Sequence, residues 1–212
     1  MDLTEIYRQF FSDIKNTTLL EYIAVFTGIA SVWYSRKENI LVYPTGLVNT
    51  IIYIYLSFKG GLLGEASVNV YYTVMSIYGW LLWAKKDQQH HPVLQITIAS
   101  KKEWLQHIGF FAVFYTAIYF ALTYLKKDFA TGAIPWADAF ASATAFTGMW
   151  LMTKKKVESW YWWIATNFAS IPLYFVKHYV FTSVYYVVLL IMAFAGLFEW
   201  LKRKETAKVL PM

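Results

Sequence analysis

The sequence predicts an all-α membrane protein of seven transmembrane helices: three, then a lone connector, then three more. Three observations carry that prediction. Hydrophobic residues make up 58% of the 212-residue chain and aromatic residues 20%, whereas charged residues make up 15%, against about 25% in an average soluble domain. Apolar stretches bounded by charge or turn residues fall in seven places, and short motifs of the first three return in the last three. A hydrocarbon core about 30 Å thick takes about 20 helical residues per crossing, so no room remains for a separate soluble domain. Disorder and an ordinary cytosolic enzyme are both poor fits to this composition.

The chain opens with Leu3, Ile6, Tyr7, Phe10, Phe11 and Ile14 along one side and Asp2, Glu5, Gln9 and Asp13 elsewhere. Residues 1–18 are therefore expected to form an interfacial helix on the outer surface. With no basic start or small-residue cleavage site, this segment is expected to be retained. Stretches at 21–35, 40–58 and 65–84 make a first three-helix repeat, 19–87. Residues 88–130 hold a cytoplasmic loop and a connecting helix near 104–124. In that loop Val93, Gln95, Thr97 and Ala99 alternate with Leu94, Ile96 and Ile98, the pattern of a brief strand or hairpin. Stretches at 134–153, 160–177 and 182–201 form the second repeat, 131–204, and 205–212 is a cytoplasmic tail. Pro44 and Gly46 fall within the second helix and Pro172 within the sixth. A proline at membrane depth removes a hydrogen bond that lipid cannot replace, so these helices are expected to face protein or a wet cavity.

Orientation follows from the basic residues. The loops reached after helices one, three, five and seven hold 13 of the 19 lysines and arginines, and the opposite side holds 6, including Lys126 and Lys127. The C-terminus is then expected in the cytoplasm and the N-terminus outside. The same asymmetry accounts for the net charge of +6 through a negative inner leaflet, and no nucleic-acid partner is expected. The absence of cysteine excludes disulfide scaffolds, thiolate metal sites and cysteine nucleophiles.

The recurring motifs suggest a duplicated unit. Phe26-Thr27-Gly28 returns as Phe146-Thr147-Gly148, Glu38 as Glu158, and Gly79-x-x-x-Trp83 as Gly196-x-x-x-Trp200. An odd connector makes the two triplets parallel, an arrangement that transporters use with the solute site between the halves.

Polar residues inside apolar helices are the candidate chemistry, because a buried amide without a partner costs several kcal/mol. Asn49 lies in the second helix, Asn69 near the start of the third and Asn167 in the sixth. Helix-to-helix bridging is the competing role for each. Trp163 and Asn167 are one turn apart, so an indole and a carboxamide share a face suited to a flat heterocycle, and a cationic ring would add about 0.5–2 kcal/mol. Trp160 and Tyr161 read as an interfacial aromatic belt. Glu21 and Asp138 open corresponding helices at the outer face, where they would attract a cation or serve the helix dipole. Tyr53, Tyr72, Tyr115 and Tyr174 could line a cavity or simply pack. No nucleotide-binding, metalloprotease or nucleophile-elbow motif occurs, and His90 and His91 lack partners at metal-ligand spacing. No enzyme activity, cofactor or metal is expected.

Leu151-Met152-Thr153-Lys154-Lys155-Lys156-Val157-Glu158-Ser159-Trp160, followed by Trp163-x-x-x-Asn167, resembles the PnuC family of vitamin transporters. Gly46-Leu47-Val48-Asn49, Tyr78-Gly79-Trp80-x-x-Trp83 and Pro135-Trp136-x-Asp138 add to the likeness, which spans roughly 20 to 203. The resemblance implies a three-plus-one-plus-three fold similar to the SWEET transporters, an inner-membrane location and a homotrimer. It also implies facilitated diffusion of a non-phosphorylated vitamin, which a cytoplasmic vitamin kinase then traps. Nicotinamide riboside, thiamine and riboflavin are the family's solutes. Trp163 and Asn167 match the motif the family uses at its substrate site; Asn49 and Asp138 match shared positions without an implied role. The family name favours nicotinamide riboside, with thiamine, also a cationic ring, second. A non-transporting membrane receptor or scaffold is the alternative from another class.

Overall fold

A computed structural model describes residues 3–60, 63–124 and 132–209. Eight helices are present among them: α1 (Leu3–Asn16), α2 (Leu19–Arg36), α3 (Val42–Lys59), α4 (Leu63–Trp83), α5 (Lys101–Tyr124), α6 (Pro135–Thr153), α7 (Glu158–Val176) and α8 (Val180–Val209). Lys126, Lys127 and the expected boundary at 130–131 lie outside the described residues, as do 210–212 of the expected tail.

Local chemistry sets the helix ends. Thr18 caps α2 in a reciprocal box: its Oγ1 accepts from the Glu21 N–H at 3.3 Å, and the Glu21 carboxylate accepts from the Thr18 N–H at 2.6 Å. Pro135 starts α6, where its missing N–H has no intrahelical partner to lose. The same reasoning corrects the expectation for Pro44. It sits in the first turn of α3 rather than at depth, and costs no helical hydrogen bond. Pro172 does lie inside α7; at the residue before it, the Ile171 carbonyl accepts from the Ser183 hydroxyl of α8 at 2.8 Å. The last helix runs to Val209, past the expected start of the tail. The alternating segment in the α4–α5 connection forms no strand among the described residues. The connection makes isolated bridges, Lys86 to Pro92 within the loop and Thr97 to Lys156, the second because Thr97 pairs with the α6–α7 turn.

Two three-helix units are visible in the packing. Helices α2, α3 and α4 pack in sequence, as do α6, α7 and α8; α4 meets α6, α2 meets α8, and α5 lies against α6. The amphipathic α1 rests on α8: Phe10 is 6.1 Å from Phe181, and Asp13 Oδ2 accepts from the Phe181 N–H at 3.2 Å. On hydropathy, Lys101–Tyr124 and Val180–Thr206 are long and apolar enough to cross a membrane. The other long helices are diluted by tyrosine, tryptophan, serine and threonine, which bury well but score as polar.

The units correspond at an interval of 117 residues. Helices α2 and α6 end alike, with Glu38 (φ 58°) and Lys155 (φ 50°) in the left-handed region and matching closing bonds, Asn39 N–H to Tyr34 O and Lys156 N–H to Leu151 O. Trp83 and Trp200 also correspond, as do Gly79 and Gly196. The Phe-Thr-Gly and Glu38/Glu158 matches, by contrast, are 120 apart and so about a turn out of register. Those two recurrences therefore do not share the register of the helix ends and the third-helix residues.

In each unit a large aromatic of the middle helix lies on a glycine of the third, Tyr43 on Gly79 and Trp160 on Gly196. Trp160 is thus a core residue, 1% exposed, and not part of an interfacial belt; Tyr161 is exposed. Both aromatics join a core with Trp83, Met152, Val157, Ala193, Leu197 and Trp200 that is shared by the two units.

A Cβ at Gly79 would lie 2.5–2.6 Å from the Tyr43 ring, whereas one at Gly109 would meet nothing within 4 Å. Gly79→Ala is expected to lower stability by about 1–3 kcal/mol through overpacking. Gly109→Ala should raise it by about 0.5–1 kcal/mol. Thermal melting in detergent should show the opposite signs.

Candidate functional site

Helix α7 presents Trp163 and Asn167 one turn apart. Its placement rests on close approach to α6: Gly148 has no side chain, so the Trp163 indole reaches to 3.2–3.3 Å of where a Cβ would stand. The half-buried indole lies 6.3 Å from the Tyr72 ring of α4, across the boundary between the units. Tyr72 also meets Phe146 edge-on at 6.1 Å, and Tyr71 stacks on Phe146 at 3.9 Å. Asn167 is 3% exposed, and its carboxamide makes no hydrogen bond to any described residue. Its amide atoms are not among the fully enclosed polar atoms left without a partner, so water or a small solute can reach them.

Asn49 is brought to the same inter-unit region but is already paired. Its Nδ2 donates to the Ala24 carbonyl at 2.6 Å and leans on Gly28, which also faces the Tyr185 hydroxyl of α8. Tyr53 of α3 is half-buried and lies on the side facing Tyr185 and Tyr186 of α8. Tyr174 stacks on Tyr186 at 5.2 Å, and the Tyr186 hydroxyl faces Ser170. Side chains of α3, α4, α6, α7 and α8 therefore gather between the units, against the backbone of α2.

Four other residues do other work. Asn69 turns back onto its own helix, donating to the Glu65 carbonyl at 2.9 Å. Glu21 is occupied in the capping box of α2. Asp138 accepts from the Ile134 N–H at 2.6 Å through Oδ2 and pairs with Lys177 at 2.6 Å through Oδ1, fastening the start of α6 to the end of α7. Tyr115 stacks on Phe111 and Tyr119 of its own helix. Sequence reasoning missed Tyr185, Tyr186 and Ser170, because an almost wholly apolar helix gives no periodicity to say which face is inward. Gly148 was visible, though for a repeat register the structure does not share. Among the described residues no group of histidine, aspartate or glutamate could hold a metal. A shallow hollow lined by Glu5, Arg8, Gln9, Ser12 and His178 lies apart from this region.

An aromatic wall with an unpaired amide at its foot can hold a flat heterocycle by stacking and one or two hydrogen bonds. Residues 18–202 match the family described as nicotinamide mononucleotide transporter. The chain belongs to that family. As a member of the nicotinamide mononucleotide transporter family it is an integral membrane protein. It is 23% identical to the nicotinamide riboside transporter PnuC of Escherichia coli (strain K12), over 86% of this chain and 84% of that one. It is 22% identical to the riboflavin/roseoflavin transporter RibM of Streptomyces davaonensis, over 84% and 82%. A crystal structure of the vitamin B3 transporter PnuC shares the fold, with a TM-score of 0.72 and 23% identity over 94% of this chain and 88% of that one.

The bonding of Glu21 and Asp138 leads to a test. Glu21→Ala and Asp138→Ala should each cost about 0.5–2 kcal/mol of stability, the worth of a lost helix-end partner. Solute affinity in tryptophan-fluorescence titrations should stay within about twofold of the parent's.

Proposed function

We propose that the chain is a uniporter that carries nicotinamide riboside across the inner membrane by facilitated diffusion, with a cytoplasmic vitamin kinase trapping the solute by phosphorylation. One observation carries this reading: the Asn167 carboxamide, without a hydrogen-bond partner among the described residues, lies one turn from the Trp163 indole, which faces Tyr72 of the other unit. A pyridinium ring would stack on the indole, gain cation–π attraction of about 0.5–2 kcal/mol, and offer its carboxamide to Asn167. The name of the Escherichia coli relative supports the choice of solute. Thiamine is the second reading, since its thiazolium suits the same wall. Riboflavin, named for the Streptomyces relative, lacks the charge.

In this reading α2 to α8 are seven spans, three plus one plus three with parallel triplets as in the SWEET transporters, and the protein assembles as a homotrimer. The C-terminus is cytoplasmic and the N-terminus outside. Trp163 and Asn167 form the centre of the substrate site, and Asn49, Tyr53 and Tyr72 line it.

Purified protein in liposomes should take up labelled nicotinamide riboside saturably, down its gradient, without ATP or an ion gradient. Asn167→Ala should reduce uptake about tenfold or more, the equivalent of roughly 1.4 kcal/mol or more of lost binding. Uptake by that variant equal to the parent's would remove the site assignment. Parallel titration with thiamine and riboflavin names the solute, and a protein that binds a vitamin but passes none is a receptor.

A further inference from the structure

If two related units are to open alternately around a shared site, the contacts that seal one end must lie between the units and be able to part. At the end where α2 and α6 finish, the structure concentrates such contacts, and residues 117 apart meet each other there. Ser35 Oγ donates to Met152 Sδ at 2.9 Å. Glu38 pairs with Lys155 at 2.5 Å. The Trp83 and Trp200 rings are 6.3 Å apart. Corresponding residues of a duplicated pair touch only close to the axis that relates the units, so these three contacts mark that axis. Two indole bonds cross it nearly reciprocally: Trp83 Nε1 donates to Thr153 O at 3.2 Å, and Trp200 Nε1 donates to Ser35 O at 3.1 Å. Around them run ion pairs from one unit to the other, Arg36 and Lys37 with Glu199 and Arg203 with Glu38. At the opposite end, where Glu21 and Asp138 begin α2 and α6, no corresponding pair makes a hydrogen bond, ion pair or ring contact among the described residues.

We propose that Glu38, Lys155 and the Ser35–Met152 contact form a gate sealing this end of the solute path, and that they separate in each transport cycle. The proposal rests on the transport reading above. Lys155 is the central group. It is 3% exposed, held by Glu38 on one side and by the Trp83 ring at 4.7 Å on the other, so both of its partners belong to the opposite unit. A cation so buried is tolerable only while both stay in place, and opening this end would give it water instead. The gate is thus two-state: dry and paired, or wet and parted.

The chain has no cysteine, so a Ser35→Cys, Met152→Cys pair can be oxidised alone. With the cross-link confirmed by thiol titration, uptake into liposomes should fall about tenfold or more and return on reduction. Solute affinity should stay within about threefold of the reduced protein's. Undiminished uptake by the cross-linked protein, or loss of solute binding with it, overturns the gate. A second measurement needs no solute. In Asn167→Cys, a membrane-impermeant maleimide applied from the α2/α6 end should react slowly, and adding Lys155→Met should speed it about fivefold or more. Arg203 still faces Glu38 in that variant, so the acid is not left alone. An unchanged rate overturns the gate. If no vitamin is bound or carried, the transport reading fails, and the alkylation rates still decide whether this end is a gate.

Discussion

The contact between the Trp83 and Trp200 indoles is the constraint on which most of the structure depends. Trp83 closes the third helix of the first unit and Trp200 lies at the corresponding place in the last helix, and their meeting makes one core out of two triplets. Helices in lipid gain little from hiding apolar surface, since the tails are as apolar as leucine. They associate through close packing and through hydrogen bonds that lipid cannot offer. Both are present here. Gly79 and Gly196 let Tyr43 and Trp160 lie flush on the third helices, and each axial indole N–H finds a backbone carbonyl of the opposite unit. The Tyr43 hydroxyl and the Trp160 Nε1 are left buried and unpaired, so these two rings contribute through packing alone.

The two units correspond at the helix ends and in the core, but the proposed site departs from that correspondence. At the interval of 117, Trp163 corresponds to Gly46, Asn167 to Thr50 and Gly148 to Ser31. In the first unit the positions are closed: Gly46 is covered by the Ser31 hydroxyl, and Thr50 receives a hydrogen bond from Thr73 at 2.9 Å. In the second unit the small residue moves to α6 and the large one to α7, and the amide has no partner. In the proposed site this leaves unlike walls, a glycine and an indole in the second unit where the first has a serine and a glycine. The first unit keeps its own amide, Asn49, one position away in register and bonded to Ala24.

Much of the fold was legible in the sequence because burial along a helix is written in runs of apolar residues bounded by charge. All eight helices of the structure answer to stretches read that way, α1 by its periodicity and the others by their limits. What misled was whatever depends on neighbours. Pro44 looked like a break at depth because its helix was expected to begin earlier. Trp160 looked interfacial because three aromatics follow it directly, and only the glycine of α8, 36 residues on, makes it a core residue. Glu21 and Asp138 looked like a matched pair at an entrance, and they do correspond at 117, but what they share is a place in the first turn of a helix, where backbone N–H groups compete for them. Trp163 and Asn167 could be read as neighbours from their spacing alone. That the amide is left without a bond could not, since it depends on what the other five helices fail to offer.

The basic residues used to assign orientation have a second role, which changes what their number means. Of those on the richer side, Arg36, Lys37, Lys155 and Arg203 pair with Glu38 and Glu199, Lys156 pairs with Glu103 at 2.6 Å, and Lys154 lies over the Trp150 ring at 4.0 Å. A charge held in this way contributes less to a lipid surface than a free one, because its field is met locally by a carboxylate or a ring quadrupole. Insertion, however, is decided before tertiary pairs exist, when each lysine and arginine of a loop still counts. The same side chains can therefore orient the unfolded segments first and join the two units afterwards. Arg36, Lys37, Lys155 and Arg203, at the ends of α2, α6 and α8 where the units meet, fill both roles, whereas Lys85, Lys86, Lys101 and Lys102 about the α4–α5 connection make no such pair among the described residues.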